Sequence, residues 1–321
     1  MKPILQPAGA PAGFFAHALS SGRLGHAYLL EGAAGAGKKT LARYIAALAL
    51  CQTHSACGQC PACRQIAENA HPDLIWISAQ EKATLPIAAI RELLQEVAVR
   101  PADGGRRVFV IEDAQKMNAA AQNALLKAIE EPPGYALFLL LCENAAMLLP
   151  TVRSRAQYIR IPPLPLAALR AIAPQLPEGD IAFSYCGGNP GKLKALLYDN
   201  QFQTLREELF QKILLLFTGD DFIIYDIVAF FDQYKDRRED LFALTVLLLR
   251  DCLLSKLGAA ALVVNGDQKA LIETVSRLAG KRTLLRMIET ILNTQKELGR
   301  YGNFSLSVQA MLIICREELH G

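Results

Sequence analysis

The feature that most constrains this chain is a glycine-rich loop between an apolar run and a helical pattern. The run is Ala27–Leu30, and apolar residues at helical spacing follow over Leu41–Leu50. Between them lie three glycines and a lysine: Gly32, Gly35, Gly37 and Lys38. This is the P-loop pattern G-x-x-x-x-G-K-[ST] up to its last position, in which backbone N–H groups surround a phosphate and the lysine neutralises its charge. A turn that only caps a helix is the alternative, but a strand before the loop and a helix after it favour a nucleotide-binding α/β fold.

The residue after the P-loop lysine departs from the pattern. A P-loop NTPase carries Ser or Thr there, whose hydroxyl binds Mg²⁺, whereas this chain has Lys39. Thr40 comes one residue later, about 100° further around the helix, which places its hydroxyl away from that metal. A second cation beside the phosphates could hold ATP or ADP without a metal, but it does not organise the metal-assisted attack that hydrolysis needs. The sequence therefore predicts a loop that could bind nucleotide without hydrolysing it.

Two acidic residues, Glu112 and Asp113, follow the apolar run Val108–Ile111. This is the Walker B position, where P-loop ATPases usually carry an Asp that orients Mg²⁺ and then a Glu that polarises the attacking water. The order here is inverted, so the longer side chain takes the metal position and the shorter one takes the water position. Together with Lys39, the inversion predicts a degraded catalytic site that Glu112 and Asp113 still line.

Four of the eight cysteines lie close together in the chain: Cys51, Cys57, Cys60 and Cys63. Four thiolates at this spacing are typical of a closed, tetrahedral zinc site with a structural role. Two alternatives are that the thiols are free or redox-active, and that His54 replaces Cys51 as the fourth ligand. Because a closed site leaves no position for a substrate, we expect it to stabilise the fold or to present a surface knob to partners.

The composition excludes several classes of protein. Apolar residues make up 52% of the 321 residues, too many for a disordered chain, and a net charge of +3 does not by itself demand a nucleic-acid partner. The most apolar stretch, Tyr135–Cys142, is far shorter than the ~20 residues of a membrane-spanning helix, and residues 1–13 lack the apolar segment of a secretory signal. The remaining cysteines lie in apolar contexts typical of buried thiols: Cys142, Cys186, Cys252 and Cys315. We therefore expect a cytoplasmic protein in a reducing compartment.

Apolar runs and helical patterns alternate up to about residue 160, which predicts a parallel sheet covered by helices. The predicted strands are Ala27–Leu30, Leu74–Ile77, Val108–Ile111 and Leu137–Leu141. After a proline-rich connector, almost every segment is an amphipathic helix. The last six predicted helices are Leu205–Phe217, Phe222–Phe231, Leu241–Leu257, Lys269–Leu278, Leu284–Leu298 and Leu306–Leu319. Three domains are predicted: an α/β domain over 1–161 with the cysteine module at 51–63, a small helical domain over 162–203, and a helical domain over 204–321.

Several segments, taken in order, match one family. They are Gly25–Leu29 before the P-loop, the four cysteines after the first helix, His71–Leu74, Leu125–Pro133 and Leu149–Arg155. With them the chain resembles, over nearly its whole length, the clamp-loader branch of the AAA+ ATPases, and within it the subunits of bacterial DNA polymerase III. The resemblance implies an AAA+ P-loop domain with a parallel sheet and an inserted zinc module, then a small helical lid domain and an all-helical collar domain.

The resemblance also assigns a role to Arg155. Ser154-Arg155-Ala156 matches the family's Ser-Arg-Cys motif, whose arginine reaches into the ATP site of the neighbouring subunit. A guanidinium is always charged and forks onto phosphate oxygens, so Arg155 would act as a trans arginine finger. The alternative is a surface salt-bridge residue, as most lone arginines are.

Two further positions bear on hydrolysis. The polar sensor expected after the Leu137–Leu141 strand, usually Thr or Asn in active relatives, falls at Cys142–Asn144, where Asn144 could serve. The arginine of a second sensor falls near residues 190–192, where Lys192 is the one cation. The resemblance therefore implies a subunit that does not hydrolyse ATP itself but belongs to the DNA-directed DNA polymerase III holoenzyme, a nucleotidyltransferase.

The partners that the resemblance implies are the gamma/tau ATPase subunits and delta, in a hetero-pentameric ring that loads a sliding clamp onto primer-template DNA. Structural zinc is the expected cofactor, and ATP or ADP could bind without hydrolysis. Three other interpretations stay open. An active gamma/tau-type ATPase would carry Gly-Lys-Thr or Gly-Lys-Ser in its P-loop, and a stand-alone P-loop NTPase would keep the metal-binding hydroxyl. A pure scaffold would have no nucleotide role.

Overall fold

The computed structural model describes residues 10–79, 83–101, 105–176, 181–199, 201–298 and 303–320. The chain divides into two compact units, Met1–Ala195 and Leu196–Gly321. The predicted boundary between residues 161 and 162 lies within the first unit, and the division into three domains stays a prediction. Most of the segment 1–13, for which no secretory signal is expected, lies outside the described residues. Within the described ranges, no helix is both long and apolar enough to cross a membrane.

The first unit is built on a parallel sheet of five strands. The strands are β1 (Ala27–Glu31), β2 (Leu74–Ile77), β3 (Arg107–Ile111), β4 (Ala136–Cys142) and β5 (Gln157–Arg160). They lie in the order β2-β3-β4-β1-β5. Every residue of β3 and β4 is buried, as expected for the central strands of a parallel sheet that is covered on both faces. The prediction of an α/β fold with a parallel sheet is confirmed.

Helices cover the two faces of this sheet. The α-helices described up to the end of this unit are α1 (Ala10–Ser20), α2 (Lys38–Leu50), α3 (Pro61–Ala67), α4 (Ile87–Val97), α5 (Ala119–Glu130), α6 (Pro150–Arg153), α7 (Leu166–Ile172), α8 (Ile181–Tyr185) and α9 (Pro190–Leu197). On one face Phe109 stacks on Phe138 in a core shared with α4 and α5, with 5.2 Å between ring centroids. On the other face Tyr28 meets Phe15 of α1 at 4.8 Å. Because the strands are parallel, their carboxyl ends share one edge, which carries the P-loop and the acids after β3.

The fifth strand, β5, has no counterpart among the predicted strands. It pairs with β1, with Gln157 opposite Tyr28 and Arg160 opposite Glu31. Only Ile159 among its four residues is even partly buried. An edge strand with polar, exposed side chains lacks the apolar run that marks the other four strands.

The second unit is helical throughout its described residues. Its helices are α10 (Phe202–Thr218), α11 (Ile223–Gln233), α12 (Arg238–Lys256), α13 (Lys269–Leu278), α14 (Lys281–Leu298) and α15 (Phe304–His320). Each lies within three residues of its predicted bounds. Arg206 of α10 is 2% exposed and donates to Asn265 at 2.9 Å and to Asp267 at 2.6 Å. These hydrogen bonds, in which Arg206 and Asn265 are buried, link α10 to the segment before α13.

Candidate functional site

The P-loop begins directly after β1 and ends at α2, as the sequence predicts. Gly35 (φ +77°) and Gly37 (φ +96°) adopt left-handed backbone conformations that favour glycine. The ammonium of Lys38 donates to the carbonyl oxygens of Gly32 at 2.7 Å and Ala33 at 2.9 Å. Burial lowers the pKa of Lys38, and nearby acidic groups oppose that shift. The Lys38 side chain therefore folds back onto the P-loop.

Lys39 forms an ion pair with Glu112 at the carboxyl end of β3. Its ammonium contacts Oε1 of the carboxylate, while Oε2 accepts a hydrogen bond from the indole N–H of Trp76 at 3.1 Å. The Glu112 side chain is only 15% exposed, so these two donors replace much of its contact with water. In a Mg²⁺-dependent P-loop enzyme this end of the strand faces the metal. Here a lysine of the same chain neutralises the acid.

The second acid is neutralised in the same way. Asp113 Oδ2 lies 3.0 Å from the ammonium of Lys116, and the Asp113 backbone is left-handed with φ +53°. The structure brings most of the predicted nucleotide-site residues to one cavity, which is lined by Gly35, Gly37, Lys38, Lys39, Thr40, Glu112 and Asp113. Gly32 lines an adjacent cavity. Their role in nucleotide binding stays a prediction.

The turn at residues 189–191 contacts the P-loop directly, and this contact was not predicted from the sequence. The amide of Asn189 donates to the Ala34 carbonyl at 2.6 Å, and the Gly191 N–H donates to the Gly35 carbonyl at 3.0 Å. A Cβ on Gly191 would lie 2.6 Å from the Gly35 Cα. No side chain fits there. The sequence signal for this contact is the set of three glycines near Asn189, namely Gly187, Gly188 and Gly191, because glycine permits a close approach of two backbones.

The candidate sensor residues are all engaged in local structure. Lys192 places its ammonium 3.8 Å from the centroid of the Tyr185 ring. The Asn144 side chain accepts a hydrogen bond from the Ala146 N–H at 2.9 Å, which caps a short helical turn. Cys142 is buried, and burial raises the pKa of its thiol to about 12. Lys192 and Asn144 are thus engaged in contacts within their own segments, and Cys142 is buried.

Arg155 lies at the opposite edge of the sheet from the P-loop. It precedes β5, whose first residue pairs with Tyr28 near the start of β1, whereas the P-loop follows the end of β1. A five-residue strand at ~3.3 Å per residue separates the two edges by about 15 Å. Arg155 is therefore placed away from the chain's own phosphate loop.

Groups of the same chain hold the Arg155 guanidinium. Nη2 forms an ion pair with Glu130, the last residue of α5, and Nη1 donates to the Thr151 carbonyl at 2.9 Å. The Arg155 and Glu130 side chains are 36% and 40% exposed. Ala156, in the place of the family's cysteine, is buried. An exposed arginine with an internal partner is compatible with both the finger and the surface salt-bridge interpretations.

The four clustered cysteines converge on one point. Their Sγ atoms all lie within 4.8 Å of one another, with Cys51 Sγ 3.6 Å from Cys57 Sγ and 3.8 Å from Cys60 Sγ. Four sulfurs at about 2.3 Å from a tetrahedral zinc ion would lie about 3.8 Å apart. His54 Nδ1 instead lies 3.4 Å from the Leu48 carbonyl oxygen. The residues present therefore fit a four-thiolate metal site.

Local hydrogen bonds prepare two of these thiols for ionisation. Burial opposes the ionisation of Cys51, but hydrogen bonds from the Thr53 hydroxyl and from backbone amides lower the pKa of its thiol to about 5. The Gln59 and Cys60 amides lower the pKa of the Cys57 thiol, whereas burial raises the pKa of the Cys63 thiol. Left-handed backbone at Ala56 (φ +51°) and Gly58 (φ +72°) forms the turns that bring the sulfurs together.

Comparison with known proteins gives two family matches. Residues 10–165 match the family described as DNA polymerase III, delta subunit, and residues 200–315 match DNA polymerase III, delta subunit, C terminal. The DNA polymerase III subunit delta' of Pseudomonas aeruginosa is 42% identical over 159 residues, which cover 48% of each protein. The subunit delta' of Yersinia pestis is 28% identical over 295 residues, which cover 87% of this chain and 85% of that protein. The subunit gamma/tau of Mycobacterium bovis is 33% identical over 164 residues, which cover 50% of this chain and 28% of that protein.

Proposed function

The chain belongs to the family of DNA polymerase III delta subunits, and on this basis we propose that it is the delta' subunit of a bacterial clamp loader. In this role it is a member of the loader ring that does not hydrolyse ATP itself. It supplies an arginine finger to the ATP site of an adjacent subunit, so that a sliding clamp is loaded onto primed DNA. The match to a protein named delta' over most of both chains supports this assignment.

The observation that carries the non-hydrolysing role is the ion pair between Lys39 and Glu112. Hydrolysis in a P-loop enzyme needs a Mg²⁺ ion between the phosphates and the acidic end of the Walker B strand. Here that end is neutralised by a lysine ammonium, and the second Glu112 oxygen accepts from Trp76. The chain can thus keep a phosphate-binding loop while lacking the electrostatics of a Mg²⁺ site.

The contact between Gly191 and the P-loop supports the same conclusion. Since a side chain at position 191 would collide with the Gly35 backbone, this position cannot carry an arginine toward the phosphates. The nearest lysine, Lys192, lies over the ring of Tyr185. ATP or ADP could still bind at the loop, with Lys38 and Lys39 as counter-charges and no turnover.

The trans role of Arg155 is supported by its position in the sheet. It lies at the amino ends of the strands, about 15 Å from the P-loop at their carboxyl ends. A finger so far from its own site can serve only the site of another subunit. The neighbouring site would gain a planar cation that forks onto the transferred phosphoryl group.

The proposed complex contains gamma/tau ATPase subunits and delta in a hetero-pentameric ring, which acts on a sliding clamp and primer-template DNA in the cytoplasm. The four cysteines would hold a structural zinc ion, which would stabilise the first unit and take no part in the chemistry. A second candidate is an active ATPase subunit, which is favoured by the match of half of the chain to a gamma/tau protein. Lys39 at the metal-binding position argues against that candidate.

The proposal is tested by assembly and then by ATPase assays. The purified chain is mixed with the gamma/tau and delta subunits of the same organism, and we expect one copy to co-elute in the complex. An arginine finger is worth about 10³–10⁵ in rate at its own site. Arg155→Ala should therefore remove one site's share of the DNA-stimulated ATPase rate while the complex still assembles.

Arg155→Lys should rescue this rate poorly, because lysine keeps the charge but loses the planar fork. Arg153→Ala is the matched control, since Arg153 is an exposed arginine only two residues away. If both alanine variants behave alike, or if Arg155→Ala merely dissociates the complex, Arg155 is an interface residue and the finger assignment is wrong.

A further inference from the structure

The ion pair that holds Arg155 has a consequence for the finger itself. We infer that Glu130 is a positioning residue that restrains Arg155 and sets how readily its guanidinium reaches a neighbouring phosphate. The inference rests on the proposed trans role of Arg155. It adds a second residue, at the end of α5, to the part of this chain that acts on the adjacent ATP site.

The geometry shows a competition for the same nitrogen atoms. Nη2 of Arg155 pairs with the Glu130 carboxylate, and Nη1 donates to the Thr151 carbonyl at 2.9 Å and to the Ser154 hydroxyl at 3.3 Å. Both terminal nitrogens are thus engaged within the chain. Binding a phosphate through two parallel N–H donors uses at least one of these terminal nitrogens. The carboxylate and the incoming phosphate are both anions, so the guanidinium leaves Glu130 when it binds the phosphate.

The restraint is weak enough to be released. The pair lies at an open surface recess that is also lined by His26 and Ile129, and the Arg155 and Glu130 side chains are 36% and 40% exposed. An exchange of partners there requires no unfolding and buries no unpaired charge. An exposed ion pair changes an equilibrium by about 1.5- to 5-fold. Removing the Glu130 charge should raise the fraction of Arg155 that engages the neighbour by a factor in that range.

The chain offers a matched control beside the restraining residue. Glu131 directly follows Glu130, is exposed, and gives the same change in net charge when it is replaced by glutamine. The experiment uses the reconstituted complex with the gamma/tau and delta subunits. DNA-stimulated ATPase is measured for wild type, Glu130→Gln, Glu131→Gln, Arg155→Ala and the double variant Glu130→Gln/Arg155→Ala. The rate of the Arg155→Ala complex is subtracted from each of the others, which isolates the part that depends on the finger. A melting curve of each isolated chain checks that it is folded.

We expect Glu130→Gln to raise the Arg155-dependent rate by ~1.5- to 5-fold, Glu131→Gln to leave it at the wild-type value, and the double variant to match Arg155→Ala. An unchanged rate in Glu130→Gln overturns the inference. A lowered rate also overturns it, because Glu130 would then hold the finger in its active position. A rise that persists without Arg155 overturns it as well. A wild-type rate in the Arg155→Ala complex is a different failure, because it contradicts the proposed finger whatever the Glu130 variant does.

Discussion

Two clusters of side chains of the kinds that can bind metal ions lie in the described part of the first unit, and they are built in opposite ways. At the carboxyl end of β3, Glu112 and Asp113 are each paired with a lysine of the same chain. In the cysteine cluster, four sulfur atoms face one another within 4.8 Å. The first arrangement neutralises its acidic groups internally, whereas the described residues of the second provide four sulfur ligands that a metal ion could neutralise. A cluster of anionic side chains can bind a metal cation only where no cationic side chain already neutralises it.

The repulsion between a Mg²⁺ ion and the Lys39 ammonium can be estimated from Coulomb's law. Two like unit charges about 4 Å apart, at an effective dielectric constant of ~20, repel by about 4 kcal/mol. A divalent ion beside a lysine ammonium doubles that cost to about 8 kcal/mol. Lys39 therefore offsets about as much attraction as the Glu112 carboxylate would exert on Mg²⁺ at the same distance. A zinc ion among four thiolates gains attraction from every ligand.

The largest expected effect is on the cysteine cluster. Cys57→Ser should abolish the binding of one zinc ion per chain, because a closed four-thiolate site loses a quarter of its ligands. It should also lower the free energy of unfolding of the first unit by several kcal/mol, since metal binding contributes to folding. Elemental analysis after dialysis and denaturant unfolding measure the two effects.

The control for this prediction is His54→Ala, which should keep the full zinc content, because His54 Nδ1 lies 3.4 Å from the Leu48 carbonyl oxygen and outside the sulfur cluster. A Cys57→Ser chain that retains zinc, or wild-type protein without zinc after metal-replete expression, contradicts the four-thiolate assignment.

The next expected effect is on magnesium dependence at the P-loop. Any ATP or ADP that the isolated chain binds should bind equally well with Mg²⁺ and with EDTA, because Lys39 serves as the counter-charge. Lys39→Thr restores the hydroxyl and frees Glu112, so it should make binding several-fold stronger in Mg²⁺. Calorimetric titrations in the two buffers test this comparison.

Turnover should stay absent in both proteins, since the inverted acids remain. Lys38→Ala provides the background rate for the isolated chain. Mg²⁺-dependent hydrolysis by wild type above that background shows that the internal pair does not exclude the metal.

The smallest expected effect is on stability. Lys39→Ala should lower the free energy of unfolding by about 1 kcal/mol, because it leaves the largely buried Glu112 carboxylate without its cation, although Lys39 itself is more than half exposed. Lys116→Ala should cost only about 0.3 kcal/mol, since its pair with Asp113 joins residues three apart and the Asp113 carboxylate is more exposed than that of Glu112. Urea unfolding of the three proteins ranks these costs. Equal losses would mean that the two pairs do not differ in strength.

The sequence predicted the features that depend on local order. The P-loop, the cysteine cluster and the helices of the second unit follow from spacing within short segments, and the structure has each of them in its predicted place. Apolar runs identified β1, β3 and β4, which lie inside the sheet, and also β2, an edge strand whose apolar side chains are partly buried. The edge strand β5 carries Gln157, Tyr158 and Arg160 outward and has no such run.

The missed features are contacts between residues far apart in the chain. Trp76 reaches Glu112 because β2 and β3 are neighbours in register, and no spacing rule links residues 76 and 112. Asn189 reaches the P-loop from 155 positions away. The partner of Arg155 was also hidden, since Glu130 belongs to a helix that ends more than twenty residues earlier. Such pairs depend on strand order, which the motifs do not encode.

The hydrogen bond from Trp76 to Glu112 gives the molecule a built-in optical probe. The sequence contains one tryptophan, and its indole N–H points at the carboxylate that Lys39 neutralises. Because Trp76 is the one tryptophan of the sequence, the tryptophan fluorescence of this chain reports on the surroundings of Glu112 at the phosphate-loop cavity. Indole emission responds to the charge and polarity around the ring. Changes at that cavity can therefore be followed without a label, even inside an assembly whose other subunits have had their tryptophans replaced.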